Sequence, residues 1–339
     1  MRISEIEALL PTLFNAYIPT YLKGPPGVGK TEMAIAAATD IGAEVIYFHA
    51  PTMNPEDLGV PDMSAAELTF KVNSSMPVYG SKWDRAVNPD APDRIVVVFD
   101  ELPQADHGVQ KTLANVIQAK ELYGHKVLPH VCFLATGNRA EDRAGAGKLL
   151  GHFANRWCIL DVDFFIDDFL DWSLKHQVHP VLRAFAKFDS KQMNEYKPDR
   201  EVNPTPRAWV QRVAPLLDAG LPVNLLYEAV KGSVGEGPAT VFQSFVKMAS
   251  HLNIDALMAD PTGYPMPTES SILYVLSTTL AMKSTTKNFA TIMTISKRLP
   301  PEFSVLLVLE ASKVEPRIMS TTAYQEWATG PGAKVLGIS

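Results

Sequence analysis

Residues 24–31 read Gly24-Pro25-Pro26-Gly27-Val28-Gly29-Lys30-Thr31, which is the spacing G-x-x-x-x-G-K-[ST]. Few eight-residue stretches limit a chain's possible folds as tightly. Thr20-Tyr21-Leu22-Lys23 before it suits a short strand, and Glu32-Met33-Ala34-Ile35-Ala36-Ala37-Ala38 after it is a strong helix former. Strand, glycine loop and helix are the context in which this pattern carries chemistry. The glycines let backbone N–H groups curl round a phosphate, and the following helix N-terminus adds partial positive charge. Lys30 is then placed to reach the β- and γ-phosphates, and the Thr31 hydroxyl to ligate Mg²⁺. The loop Gly24, Pro25, Pro26, Gly27, Val28, Gly29, Lys30, Thr31 together with Glu32 is the expected nucleotide-binding segment. A glycine-rich turn that merely joins strand to helix is the alternative.

The bulk properties narrow the class. With 339 residues the chain is long enough for two or three domains. A net charge of −6 creates no global basic field for nucleic acid or anionic lipid. The two cysteines, Cys132 and Cys158, are too few for a disulfide framework or a zinc site, and each lies in an apolar run where a thiol serves as a small core hydrophobe. No stretch approaches the uninterrupted apolar length of a membrane span, and the first residues lack a secretory pattern. A cytoplasmic protein is the expectation.

Along the chain, apolar residues at Ile3, Ile6, Leu9, Leu10 and Leu13 have a helical period. Residues 43–48 read as a second strand. Residues 68–72 alternate, with 77–80 as a hairpin partner. Ile95-Val96-Val97-Val98-Phe99 and Val131-Cys132-Phe133-Leu134-Ala135-Thr136 are apolar runs of the kind buried on both faces of a parallel sheet. Residues 157–162 provide the last strand. Strands alternating with helices to about residue 163 argue a doubly wound α/β domain with a parallel sheet. From residue 167 onward the pattern is helical, broken by proline-rich stretches at 196–206 and 260–267.

Further candidates stand at strand ends, where open α/β sheets form their ligand crevice. Asp100 can bind Mg²⁺ through water, and Glu101 can orient an attacking water. Asn138 can hydrogen-bond that water or the γ-phosphate, or simply close its strand in an Asx turn. Arg156 and Arg207 can stabilise phosphate charge, or can be ordinary ion-paired surface residues.

These landmarks, in this order, resemble an AAA+ ATPase over about residues 1–250. Residues 24–31 resemble its Walker A motif and 96–101 its Walker B motif. Asn138 falls where sensor 1 is expected, Arg156 where the arginine finger is expected and Arg207 where sensor 2 is expected. Within that family the chain is most similar to the MoxR-like group, through Asn54-Pro55-Glu56-Asp57-Leu58-Gly59, Ala135-Thr136-Gly137-Asn138-Arg139, Asn155-Arg156-Trp157 and Thr205-Pro206-Arg207. Arg139 stands where the group has proline and Asn155 where it has aspartate, so Arg139 and Arg143 are rival candidates for the arginine acting in trans. The resemblance implies an αβα P-loop NTPase core over 1–164, with a hairpin insert in helix 2 at about 66–82. A helical lid over 165–252 and extra C-terminal helices over 253–339 would follow. A second hairpin is implied near 124–130. It also implies Mg²⁺-dependent ATP hydrolysis by Glu101, Asn138, Arg156 and Arg207, with Thr31 and Asp100 at the metal. The implied partners are copies of the chain itself, as a homo-oligomer, commonly a hexamer, and a protein client, often with a von Willebrand A domain. The competing reading is a DNA-directed motor or loader, with Lys71, Lys82 and Arg85 lining a basic pore; the acidic balance disfavours nucleic acid.

Overall fold

The computed structural model describes residues 1–65, 67–139 and 149–337. The chain divides into two compact units, Met1–Phe165 with Tyr196–Asp199, and Ile166–Glu195 with Arg200–Ser339.

The first unit is built on a five-stranded parallel sheet. Helix α1 (Ile3–Asn15) precedes strand β1 (Thr20–Lys23), and helix α2 (Lys30–Asp40) leads to β2 (Glu44–His49). A short antiparallel ribbon, β3 (Gly59–Pro61) and β4 (Phe70–Val72), comes before β5 (Ile95–Asp100). Helix α3 (His107–Ala119) is followed by the hairpin β6 (Glu121–Leu122) and β7 (His125–Lys126), then β8 (Val131–Gly137). A single turn, α4 (Gly151–Ala154), precedes β9 (Cys158–Asp161). The sheet order is β2-β5-β8-β1-β9, all pairs parallel.

Alternation along the strands creates two cores. Leu22, Val96, Val98, Cys132 and Leu134 face Ile6, Leu10, Phe14, Met33 and Ala34 of α1 and α2. Tyr21, Ile46, Val97, Phe99 and Phe133 face Val109, Leu113 and Ile117 of α3. Because β5 and β8 are covered on both faces, their residues are buried almost without exception, which is why they read as continuous apolar runs. Burial pushes the Cys132 thiol up to about 12, so it behaves as the inert core group expected. Cys158 differs: it sits on the edge strand β9 and is only half-buried.

The insert pairs differently from the sequence expectation. Phe70–Val72 lies against Gly59–Pro61, not against residues 77–80, and Val78 bridges instead to Val127. Asn73 diverts the chain. Its Nδ2 donates to the Asp57 carbonyl at 2.7 Å, and its Oδ1 accepts from the Ser75 N–H at 2.8 Å. The ribbon is then locked by Tyr123, whose ring stacks on Phe70 at 4.7 Å and covers Gly59, where a Cβ would come within 2.9 Å of that ring. The second hairpin likewise begins earlier than expected, at Glu121. Tyr123 and Gly124 both hold positive φ (49° and 86°), the geometry of a tight two-residue turn matched to strand twist.

The second unit is helical. Helices α5 (Ile166–Lys175) and α6 (Pro180–Phe188) are followed by α7 (Pro206–Ala208), which passes through a π turn at Trp209–Val213 into α8 (Ala214–Asp218). Then come α9 (Val223–Val234), α10 (Glu236–Ala249), α11 (Ile254–Ala259), α12 (Ser270–Met282), α13 (Phe289–Ser296), α14 (Pro301–Val314) and α15 (Thr322–Thr329). Phe185, Trp209, Phe242 and Phe245 form an aromatic cluster, with Phe185 and Phe242 4.9 Å apart edge to face. Helix α12 packs on both α6 and α14.

Between α6 and α14, Arg183 Nη2 meets Glu310 Oε1 at 3.1 Å with the arginine only 1% exposed. Arg183 Nε donates to Ser173 Oγ at 3.3 Å, while Arg183 Nη1 and Glu310 Oε2 have no hydrogen-bond partner among the described residues. Two buried charges with incomplete hydrogen bonding stabilise little together, and removing one strands the other. Arg183→Met is therefore expected to lower unfolding stability by about 3–5 kcal/mol, and adding Glu310→Leu to recover most of the loss. Urea unfolding of the single and double variants measures this. A single variant as stable as the parent would contradict the pairing.

Candidate phosphate-binding site

The crevice forms where the carboxyl ends of β1, β5 and β8 meet, at the point where the strand order reverses. Leaving β1, the chain approaches the end of β9 so closely that a Cβ on Gly24 would stand 2.5 Å from the Val162 carbonyl oxygen. Gly27 and Gly29 take φ of 72° and 95°, a left-handed backbone that side chains resist. The loop thereby turns back on itself and delivers Lys30 to the first turn of α2, the end of the helix that carries its partial positive charge.

Lys30 is 7% exposed. Its Nζ donates to the carbonyls of Gly24 (2.9 Å) and Pro25 (2.8 Å) and to Asn138 Oδ1 at 3.2 Å. Thr31 Oγ1 donates to Asp100 Oδ1 at 2.6 Å. The loop, the end of β5 and the end of β8 are thus joined through side chains that lie far apart in sequence. Sequence and structure place Lys30, Thr31, Asp100 and Asn138 together.

Asp100 is the centre of that network. The Thr136 hydroxyl also donates to Oδ1, and the Tyr47 phenol donates to Oδ2 at 2.8 Å. Burial alone would raise the Asp100 pKa. The three hydroxyl donors, helped by His49, outweigh it and hold the carboxyl below its ordinary range. A hard-oxygen pair, the Thr31 hydroxyl and the Asp100 carboxylate, fits Mg²⁺, which binds through one or two such groups and keeps several waters. Among the described residues no cluster of three or more His, Cys, Asp or Glu offers an all-protein cage.

Glu101 holds a left-handed backbone (φ 53°, ψ 39°), and its N–H donates to Thr136 Oγ1 at 3.1 Å. Such a conformation costs a non-glycine residue free energy and persists only where neighbours enforce it. Thr136 supplies that enforcement from the adjacent strand. Gly137 keeps the strands close: a Cβ there would fall 2.6 Å from both Pro103 Cδ and the Tyr21 hydroxyl.

The arginines are placed differently. Arg139 Nη2 donates to the Val162 carbonyl at 2.9 Å and pairs with Asp163, within its own chain. Arg156, half-buried, directs Nη1 to the Ala114 carbonyl at the back of α3. Arg143 lies outside the described residues. Arg207 belongs to the helical unit. It is exposed in the first turn of α7, which the Thr205 hydroxyl caps by accepting from the Ala208 N–H, and it lines a shallow cavity of about 140 Å³ with Glu201, Asn203 and Arg212.

Sequence reasoning missed Thr136, Tyr47 and His49. Thr136 is signalled by its place just before Asn138. Tyr47 and His49 announce themselves only once the register of β2 on β5, which pairs His49 with Asp100, is known.

Residues 20–155 match the family described as ATPase family associated with various cellular activities (AAA). Among solved structures the chain is similar to the Thermotoga maritima RuvB Holliday junction branch migration motor, at 15% identity and a TM-score of 0.38, with 82% of this chain aligned to 80% of that one. It is similar to a mutant of the same motor at 14% identity and a TM-score of 0.43, with 82% of this chain on 80% of that one. A further mutant matches at 14% identity and 0.36, covering 96% of this chain and 86% of the other. No curated protein matches the chain.

Thr136→Val removes a donor from Asp100 and an acceptor from the strained Glu101 N–H. The expected cost near pH 7 is about 1.5–3 kcal/mol, the range for a hydrogen bond to a charged group. The sign follows from the depressed Asp100 pKa. Stability from that carboxylate is present above its unfolded value and is lost as pH falls through the folded one. The gap between variant and parent therefore closes below about pH 4. Urea midpoints measured across that range check it.

Proposed function

We propose that this chain, which carries an AAA ATPase domain over residues 20–155, is a Mg²⁺-dependent ATPase of the MoxR-like kind. On this reading it works as a ring of its own copies, commonly six, and remodels a protein partner. The observation that carries the reading is the hydrogen-bond chain from Asn138 through Lys30 and the loop, and from Thr31 to Asp100.

Each residue then has a physical role. The N–H groups of the glycine loop and the first turn of α2 receive the phosphates. Lys30 holds three donors, two of them on loop carbonyls, and exchanges those for phosphate oxygens when nucleotide enters. Mg²⁺, held by the Thr31 hydroxyl and by Asp100 through water, supplies charge neutralisation on the β- and γ-phosphates. Glu101, presented from its left-handed position, orients the attacking water and accepts its proton. Asn138, on Lys30 at 3.2 Å, reports phosphate occupancy to the end of β8. Arg207 couples the helical unit to nucleotide state.

The trans arginine is assigned to Arg156. Arg139 is drawn to a carbonyl and a carboxylate of its own chain, whereas Arg156 meets a carbonyl and no carboxylate among the described residues. The MoxR-like assignment also draws on residues 54–59, where Asn54 and Asp57 form a reciprocal capping box that turns the chain into β3. The partner is a protein, on this reading one bearing a von Willebrand A domain. The cations that a DNA track would use are engaged locally: Lys71 on Asp62 at 3.0 Å, Arg85 with Asp93, and Lys82 over the Trp83 ring.

Purified protein is expected to release phosphate from ATP in Mg²⁺, and Glu101→Gln to bind ATP while turning over about 10²–10⁴-fold more slowly. Phosphate release and nucleotide titration read the two effects separately; normal turnover in the variant removes Glu101 from the mechanism. Stimulation of the parent by DNA with a steep salt dependence would move the reading to a DNA motor. Arg156→Ala is expected to lose about 10³-fold or more. Mixing it with Lys30→Ala subunits should restore activity, since each supplies the half-site that the other lacks. Co-assembled mixtures, verified by light scattering, that stay inactive would place Arg156 in a role within its own chain.

A further inference from the structure

Asp100 is gripped at both oxygens, and the two grips come from different sources. Oδ1 accepts from Thr31 and Thr136, which belong to the phosphate loop and the neighbouring strand β8. Oδ2 accepts from Tyr47, on the edge strand β2, at 2.8 Å, and His49 Nδ1 stands at 3.9 Å from the same oxygen. Register explains this convergence. His49 is the Cα partner of Asp100, so Tyr47, two residues earlier, presents its side chain on the same face of the sheet. The long phenol spans the offset.

We infer that Tyr47 is a positioning residue for the divalent metal that accompanies nucleotide, acting through Asp100. The inference rests on the nucleotide-site reading above. A carboxylate offers about four acceptor directions. Thr31 and Thr136 use the two on Oδ1, and Tyr47 uses one on Oδ2, leaving one for a water of the metal. The terminal torsion of an aspartate is soft and broad, so donors on one oxygen alone leave the plane of the group poorly defined. Fixing the second oxygen fixes the plane, and with it the direction of the remaining lone pair. The division of burial suits that role. The Asp100 side chain is only 16% exposed, whereas Tyr47 is 46% exposed and covers the carboxylate from the open edge of the sheet. Thr31 keeps donating its proton to Oδ1, so its own lone pairs remain directed away from Asp100. Tyr47 touches neither phosphate nor water in this scheme, and its effect should appear only where the metal is present.

A ribose-labelled fluorescent ATP analogue, titrated into parent and Tyr47→Phe protein in Mg²⁺ and again in EDTA, tests this. Loss of an outer-shell partner commonly costs 10–100-fold in metal affinity. Tyr47→Phe is therefore expected to lose about ten-fold of the Mg²⁺-dependent gain in affinity, with EDTA affinity unchanged. The unchanged EDTA value shows that fold and phosphate loop are intact. Three results overturn the assignment: an equal Mg²⁺-dependent gain in both proteins, a larger gain in the variant, or parallel losses in Mg²⁺ and EDTA. Parent protein that binds the analogue in neither condition overturns the nucleotide-site reading itself, and Tyr47's role with it. The two failures are thus told apart by the parent alone.

Discussion

One hydrogen bond, from the Thr31 hydroxyl to Asp100, ties the start of α2 to the end of β5 and so holds the crevice in register. Everything near it depends on that tie. Asp100 can carry a charge in a half-buried place because three hydroxyls donate to it, and those hydroxyls come from three separate segments. The carboxylate is thus both the product of the fold and a reason for it. If it were protonated or displaced, Thr31, Thr136 and Tyr47 would each lose a charged acceptor together. Thr136 extends the network by one step, accepting the Glu101 N–H and so sustaining a backbone conformation that Glu101 would not hold unaided. Binding geometry and the proposed hydrolytic carboxylate therefore share one support.

Close backbone approach is the second constraint. Gly24 lies against Val162, and Gly137 against Pro103 and Tyr21, each with no room for a methyl group. These contacts set how tightly β1, β8 and β9 end on one another, and hence the distance over which Lys30 reaches Asn138. Backbone approach this close leaves the phosphate loop little freedom to relax. The glycines of the loop proper work differently: Gly29 has open space where a Cβ would be and is needed only for its left-handed φ.

The five strands and the loop were readable in the sequence because they are the parts that local chemistry determines. A run such as Ile95-Val96-Val97-Val98-Phe99 has no partly polar face, which fits an interior strand of a parallel sheet, and the residues that end such a strand stand where the crevice forms. Asp100 and Asn138 followed from that logic, and Lys30 and Thr31 from the spacing of the glycine loop. Tyr47 did not, because its meeting with Asp100 depends on which strand lies beside β5 and in what register. The ribbon was misjudged for a related reason. Residues 68–72 alternate equally well against either neighbour, and the choice was made by Asn73 turning the chain aside and by Tyr123 stacking on Phe70 from a hairpin more than fifty residues away. Pairing of short strands is a tertiary decision, and periodicity alone does not contain it.

In the helical unit the same distinction takes another form. Arg183 and Glu310 would each read as a surface charge on an amphipathic helix, yet they meet in the interior between α6 and α14. Hydrophobic residues of similar volume would bury more favourably there, because Arg183 Nη1 and Glu310 Oε2 remain unpartnered among the described residues. What the pair does supply is discrimination. An α6 rotated by a third of a turn, or an α14 shifted by one residue, would leave a buried guanidinium facing hydrocarbon, at far greater cost than a mispacked leucine. Helix α12 lies against both α6 and α14, so the pair joins two of the three helices that pack together there.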